Sequence, residues 1–147
     1  MFKHKDFGFT FTVDTKPKIP QELTTLFLEG VSLIDKDLIH YYSKLKFNNE
    51  HTFLLSCEDE PIGYAKLCED NNYSLLLEIY VKNEFRELSL GTFLLNSIRK
   101  YVKSINSELR TVTLPSDRVA KNFYEASGIT ARVLLMEEKR ENNRYRP

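Results

Sequence analysis

Apolar and polar residues alternate along residues 7–13, which is the period of a half-buried β-strand. Pro17 and Pro20 follow this segment and end it. Over residues 21–45 the apolar residues recur instead at helical spacing, with an interruption at Gly30. The pattern therefore predicts one strand and then two helices that meet at Gly30.

Three further strands are predicted in the middle of the chain. Residues 51–57 and 62–68 flank an acidic turn and predict a hairpin, and a second turn at residues 70–72 leads into a strand over residues 73–81. The odd-numbered positions of that third strand lie on one face and the even-numbered positions on the other, and both sets are largely apolar. We therefore expect a central strand covered on both sides, with Glu78 as its only charge.

The last third of the chain predicts two helices and two strands. An apolar stripe predicts a helix over residues 90–105, and residues 109–114 predict a strand. Residues 115–128 predict a helix that ends in a glycine suited to a left-handed cap. Residues 129–136 predict a last strand, and the charged tail at residues 137–147 is expected to fray.

This order of elements predicts an α/β fold in a single domain spanning residues 1–147, with a mixed, predominantly antiparallel sheet and helices on both of its faces. Lysine and arginine number 21 together, as do aspartate and glutamate, so the formal net charge is +0. That balance provides no electrostatic footprint for a nucleic acid or an anionic membrane. No apolar run approaches the length of a membrane span and the start has no signal core, so we expect a cytoplasmic location.

The two cysteines lie on different strands of the predicted hairpin. Pairing about its turn sets Cys57 opposite Ile62 and Cys68 near His51, so the two thiols are not cross-strand partners and no disulfide is expected. No cluster of histidine and cysteine has the spacing of metal ligands, and no metal site is predicted.

The junction at residues 77–91 carries the clearest chemistry, because a buried strand there runs through a basic turn into the start of a helix. Backbone N–H groups are unpaired at a helix start, where the macrodipole is positive. Arg86 adds a full positive charge beside them. The junction is therefore predicted to bind an anion such as a phosphate.

Two motifs together resemble a known family. Arg86, Ser89 and Gly91 resemble the Arg/Gln-x-x-Gly-x-Gly/Ala signature of the GNAT acetyl-CoA-dependent N-acetyltransferases, in which this loop wraps the pyrophosphate. Residues 115–129 resemble the family's later motif, Asn-x-x-Ala-x-x-Phe/Leu-Tyr-x-x-x-Gly-Phe, at matching spacing. The resemblance covers residues 52–136 and implies the GNAT fold.

The resemblance also implies the reaction, which is transfer of acetyl from acetyl-CoA to a primary amine of a small molecule or peptide, with coenzyme A as the product. In the family, the strand before the loop pairs its backbone with the pantetheine arm of the cofactor. Asn122 is included among the candidate cofactor-binding residues because its amide can both donate and accept a hydrogen bond. The cofactor-binding residues implied in this chain are Ile79, Tyr80, Val81, Arg86, Glu87, Leu88, Ser89, Leu90, Gly91 and Asn122.

Two positions depart from the family pattern. Ser89 replaces a glycine, and a serine tolerates a positive φ poorly, although its N–H group is retained and its hydroxyl can bond a phosphate. Asp117 replaces an asparagine, and a carboxylate favours a helix cap over a bond to a pantetheine carbonyl. These departures keep open a rival interpretation, a noncatalytic acyl-CoA-binding or interaction module.

Two residues are candidates for catalysis. Tyr124 matches the family tyrosine that is often assigned as general acid to the sulfur, and its alternative is a core aromatic beside Phe123. Glu78 matches an acidic position that faces the acceptor amine as general base, and its alternative is an ion pair with a lysine or arginine. His40 and His51 are further candidate bases.

The acceptor amine is not encoded by a motif in this sequence. The predicted helices of residues 21–45 offer several polar and aromatic side chains without a recognisable pattern. Between Gly128 and the tail there are only enough residues for one strand. The acceptor pocket is therefore expected to be either open or completed by a second subunit, as in a homodimer.

Overall fold

Six strands form a single sheet in this computed structural model, which describes residues 1–34, 36, 49–113, 117–134, 136 and 138. The strands lie side by side in chain order, and every neighbouring pair is antiparallel except the last, which is parallel. The predicted mixed, mainly antiparallel sheet is confirmed. The strands are β1 (Phe2–Asp6), β2 (Phe9–Thr15), β3 (Glu50–Cys57), β4 (Glu60–Glu69), β5 (Tyr73–Val81) and β6 (Glu108–Thr111).

Helices cover both faces of this sheet. They are α1 (Gln21–Ile34), a 3₁₀ helix (Asn83–Leu88), α2 (Leu90–Ser104) and α3 (Arg118–Ala126). The larger core lies between the sheet and the α2 and α3 helices, and a smaller one packs α1 against β4 through Leu23 and Tyr64. None of the described helices has the length and apolar character needed to cross a bilayer.

The N-terminal elements differ from the prediction. The chain turns at Phe7 and Gly8, which both have positive φ, so the predicted strand begins at Phe9 and pairs with an unpredicted strand, β1. The strand β1 was missed because it is a short edge strand with lysines outward, and its apolar alternation is weak.

The predicted break at Gly30 is wrong, because α1 continues through it to Ile34. A glycine weakens a helix by about 1 kcal/mol, and burial of the neighbouring Val31 offsets that loss. The second helix was predicted from the break at Gly30 to residue 45; its first residues belong to α1, and residues 35 and 37–45 lie outside the described part of the chain.

Two register shifts alter the predicted pairing of the central strands. In the β3–β4 hairpin a shift between Leu55 and Ser56 pairs Cys57 with Glu60 instead of Ile62, while Cys68 lies opposite Glu50. Both thiols are free and buried.

The second shift lies between β4 and β5. Lys66 pairs with Glu78, but Leu67 pairs with Leu76, so Leu77 is an extra residue on β5. An extra residue exchanges the two faces of a strand. The strict alternation predicted for β5 is therefore wrong: Leu76 and Ile79 both face the α2 and α3 side, where they belong to or pack on the larger core.

The C-terminal elements match the prediction up to Gly128. The strand β6 ends at Thr111, Asp117 is the N-cap of α3, and Gly128 has the expected positive φ of 88°. The described residues of the predicted last strand, 129–134 and 136, form no strand, and Val133 and Leu134 are exposed. An apolar run becomes a strand only where its backbone finds a partner, and none of the described strands pairs with this one. The tail prediction falls outside the described residues, apart from Glu138.

Gly63 is predicted to be indispensable to the contact between β4 and β5, because a Cβ atom there would lie 2.5 Å from the Tyr80 carbonyl oxygen. Gly63→Ala should lower the free energy of unfolding by about 2 kcal/mol or more. Gly30 is the matched control, since a Cβ there meets nothing within 4 Å. Gly30→Ala should raise stability by about 1 kcal/mol. Urea unfolding of both variants measures this, and equal effects would contradict the assigned packing.

Candidate active site

The strands β5 and β6 are paired over only the first part of β5. Their pairing stops at Leu76 and Thr111, whereas β5 continues to Val81. The extra residue at Leu77 lies at this point of divergence. Among the described strands, none pairs with this side of β5 beyond Leu76, and we call the resulting space the β5–β6 opening.

Main-chain groups of β5 face this opening. The Lys82 N–H donates to the Ile62 carbonyl at 2.8 Å. Because hydrogen-bonded pairs alternate along an antiparallel ladder, Tyr80 also directs its main chain toward β4, while Ile79 and Val81 direct theirs toward the opening. The main chains of Ile79 and Val81 therefore point to the side on which pairing with the cofactor was predicted. The main chain of Tyr80 points to β4 instead, and its ring lies beside Arg86.

The predicted anion loop follows directly at the end of β5. The 3₁₀ helix and α2 meet at Ser89, and the first N–H groups of α2 have no partner within the helix. Arg86 lies beside them: its Nε–H donates to the Val81 carbonyl at 2.8 Å, and its guanidinium carbon is 5.2 Å from the centre of the Tyr80 ring. The loop therefore collects one full and several partial positive charges at the end of the opening.

The backbone of the loop is strained at Ser89. Its φ and ψ are 59° and 22°, in the left-handed region, and its side chain makes no capping hydrogen bond. The expected departure from an ideal glycine is confirmed, and it costs about 1 kcal/mol for a non-glycine residue. Gly91 has a different requirement, because a Cβ atom there would lie 3.3 Å from Cε1 of Phe123 on α3.

The remaining predicted residues of the loop differ in exposure. Leu90 is fully buried in the core and Leu88 is partly buried against it, so only their main chains are available to a ligand. Glu87 is exposed on the loop, and Asn122 is exposed on α3.

Tyr124 lies at the edge of the opening, on the face covered by α2 and α3. Tyr124 is 5% exposed, and its hydroxyl lies close to the side chain of Thr111 at the end of β6. Burial raises the pKa of Tyr124 to about 12, the contact with Thr111 opposes this rise, and the Asp117 carboxylate adds to it. The hydroxyl therefore stays protonated at neutral pH.

Phe123 also packs on the larger core, so both of these neighbouring aromatics face inward. Consecutive helical residues are about 100° apart, and a broad apolar face can include both. Tyr124 is thus a core residue and a residue at the opening at the same time.

Glu78 lies on the opposite face of the sheet, the one covered by α1. The Tyr64 hydroxyl donates to its Oε1 at 2.6 Å, and the Lys66 Nζ is 3.2 Å from its Oε2. The Glu78 side chain is only 14% exposed. The alternative interpretation of Glu78, an ion pair with a lysine, is therefore present in the structure. In this ion pair the Glu78 carboxylate still lies next to the opening.

The other candidates have structural partners. The Asp117 carboxylate accepts the Ala120 N–H at 3.1 Å, so it caps α3 as its alternative interpretation predicts. His51 lies two strands from Glu78, and its Nε2 is 3.2 Å from an oxygen of Glu69. His40 is outside the described residues.

Four residues near the opening were not predicted from the sequence: Tyr64, Lys66, Thr111 and Thr113. The Thr113 hydroxyl is buried and has no hydrogen-bond partner among the described residues. The Thr111 hydroxyl donates to the Leu76 carbonyl at 3.1 Å, where the two strands separate. The correct strand register would have revealed Lys66, which pairs directly with Glu78.

The raised pKa of Tyr124 predicts alkaline destabilisation. An unfolded tyrosine loses its proton near pH 10, whereas folded Tyr124 keeps it until about pH 12. The free energy of unfolding should therefore fall by about 3 kcal/mol as the pH rises through this interval. Tyr124→Phe should remove that part of the loss, and Tyr73→Phe serves as control. Urea unfolding from neutral pH upward measures this, and an unchanged alkaline loss in Tyr124→Phe would contradict it.

Comparison with known proteins matches this arrangement to a family. The model of the acetyltransferase (GNAT) family matches residues 18–129 of the chain, which starts earlier and ends sooner than the motifs alone predicted. No curated protein matches the sequence at a significant level.

Several solved structures share the fold. A GNAT family acetyltransferase from Elizabethkingia anophelis with acetyl-CoA bound has 21% sequence identity and a TM-score of 0.62, covering 80% of this chain and 74% of its own. The aminoglycoside N-acetyltransferase AAC(6')-Iy in complex with CoA has 15% identity and a TM-score of 0.58, covering 95% and 97%.

An aminoglycoside acetyltransferase from an uncultured soil metagenomic sample has 15% identity and a TM-score of 0.61, covering 90% of this chain and 97% of its own. At such identities the likeness establishes the fold alone. The family model covers most of the chain, and the chain therefore belongs to the GNAT acetyltransferase family.

Proposed function

We propose that this protein is a cytoplasmic N-acetyltransferase that transfers acetyl from acetyl-CoA to a primary amine by direct attack. The observation that carries the proposal is the β5–β6 opening, which has Tyr124 on one face, Glu78 on the other and the anion loop at its end. A proton donor and a proton acceptor on opposite faces of one opening are what acyl transfer between two substrates requires.

The residues around the opening fit the cofactor. The loop N–H groups and Arg86 would hold the pyrophosphate, and the main chains of Ile79 and Val81 would pair with the pantetheine arm. The buried Thr113 hydroxyl has no hydrogen-bond partner among the described residues, which supports this fit, because a buried polar group is expected to have such a partner in the functional state. When bound, acetyl-CoA supplies the activated acetyl group, and coenzyme A is the product.

In this mechanism Glu78 accepts the proton of the amine, directly or through a water molecule. Tyr124 acts on the other face, at the departing sulfur. Its pKa of about 12 exceeds that of an ordinary thiol, about 8.5. The phenol therefore stabilises the thiolate mainly by donating a hydrogen bond, which strengthens as negative charge develops on the sulfur.

The cysteines support direct attack by the amine over an acyl-enzyme route. Burial raises the pKa of Cys68 to about 11, and burial raises that of Cys57 as well. A nucleophilic cysteine needs a lowered pKa, so that the thiolate is present at neutral pH. Free buried thiols also agree with a reducing compartment such as the cytoplasm.

Arg86→Ala is expected to weaken coenzyme A binding at least about tenfold, because it removes a charge-assisted contact with the pyrophosphate. Lys103→Ala is the matched control, since it removes a cation from the last turn of α2, at the far end of the helix from the loop. Calorimetric titration measures both affinities. Equal affinities in Arg86→Ala and the wild type would remove the pyrophosphate assignment.

Tyr124→Phe is expected to lower kcat about a hundredfold and to leave coenzyme A affinity nearly intact, because it removes one donor to the sulfur. Tyr101→Phe is the matched control: the pKa of Tyr101 is also raised to about 12, but its hydroxyl bonds Glu69, away from the opening. The assay is release of free thiol from acetyl-CoA with a panel of primary amines.

This assay also separates the enzyme from its rival, the noncatalytic acyl-CoA-binding module. A binding module takes up coenzyme A in the calorimeter but releases no thiol above the uncatalysed rate with any amine. Wild-type turnover in Tyr124→Phe would instead agree with acetyltransferase activity but show that Tyr124 has a purely structural role.

A further inference from the structure

A lysine forms an ion pair with the carboxylate that accepts the proton of the amine in the proposed function. Lys66 on β4 and Glu78 on β5 are paired residues in the sheet, and the Lys66 Nζ is 3.2 Å from Glu78 Oε2. The side chains are 28% and 14% exposed, respectively. This ion pair is therefore partly shielded from water and interacts more strongly than a surface pair.

Each oxygen of the carboxylate has its own donor. Tyr64 holds Oε1 at 2.6 Å and Lys66 holds Oε2, and these two donors are two residues apart on the same face of β4. A carboxylate has about four lone-pair positions, so about two remain for an incoming amine. Tyr64 and Lys66 therefore orient Glu78 without consuming its capacity to accept a proton.

The cation of this pair affects which amines can approach. An amine in water arrives mainly as ammonium, and on Glu78 its charge would lie near that of Lys66. Like charges at such short range disfavour binding in a partly buried site. An acid group on the same acceptor removes the penalty, because it can pair with Lys66 while the amine contacts Glu78.

A second lysine on this face also has a carboxylate partner. Lys82 Nζ is 3.3 Å from an oxygen of Glu22, and the lysine is the more buried partner, with side-chain exposures of 16% and 70%. Two lysines thus match two carboxylates around Tyr64 and Tyr80.

We propose that Lys66 determines acceptor specificity and that the acceptor is a primary amine carrying a carboxylate, of which an amino acid is the simplest form. This inference rests on the proposed function. It predicts that the acid group of the acceptor pairs with Lys66 while its amine is placed on Glu78.

The test compares acceptors that differ only in the acid group: phenylalanine with phenethylamine, and leucine with isoamylamine. Kanamycin represents a polycation. In the thiol-release assay, wild-type kcat/KM should favour the amino acid of each pair by about tenfold or more, the size expected for one shielded charge contact. This comparison needs no variant and so does not depend on how a substitution affects folding.

Variants then assign the preference to Lys66. Lys66→Met should abolish it, chiefly by raising KM for the amino acids, while Lys66→Arg keeps the charge and should retain the preference. Lys103→Met is the control for loss of a surface lysine. Glu78→Gln should depress kcat for both members of a pair without reversing their order. Melting temperatures establish that each variant is folded.

The outcomes separate this inference from the proposed function. Turnover with equal rates within each pair, faster turnover of the plain amines or kanamycin, or a preference that survives in Lys66→Met would overturn the role of Lys66 and leave the acetyltransferase intact. Absence of thiol release with every amine, despite coenzyme A binding, would overturn both.

Discussion

The extra residue at Leu77 is the constraint on which the rest of the site depends. It lies where β5 stops pairing with β6, and it exchanges the two faces of the strand. Among the described strands, none pairs with the main chains of Ile79 and Val81 on this side, while Glu78 comes onto the α1 face opposite Lys66. Without this irregularity a continuous ladder would fill the opening with hydrogen bonds, and no edge would be left for a ligand.

The loop between β5 and α2 holds a conformation that costs some stability. Ser89 holds a left-handed conformation that glycine adopts more easily, and Arg86 is already bonded to the Val81 carbonyl. A ligand that takes over Arg86 exchanges one hydrogen bond for another, so the net gain is smaller than the gross contact implies. The bond also keeps a long, flexible side chain beside the loop, which lowers the entropy that binding must remove.

Local signals in the sequence were sufficient for the elements that carry the family motifs. The stripe that begins at Leu90 and the cap at Asp117 depend on residues within a few turns, so α2 and α3 were predicted well. The partner of Glu78 could not be predicted, because it depends on a register shift between strands that are distant in sequence. The prediction of a helix break at Gly30 failed for a related reason: the low helix preference of glycine was outweighed by the packing of α1 on the sheet.

Gly91 lies at a close contact between the α2 and α3 helices. Phe123 can approach the first turn of α2 closely only because residue 91 has no side chain, and Phe123 is the immediate neighbour of Tyr124. The two helices are therefore mechanically coupled at this contact. A Cβ atom at position 91 would require the Phe123 ring to move by a few tenths of an ångström, even if it never touched a phosphate. The absence of a side chain at position 91 thus fixes how closely the start of α2 and the Phe123 ring of α3 can approach each other.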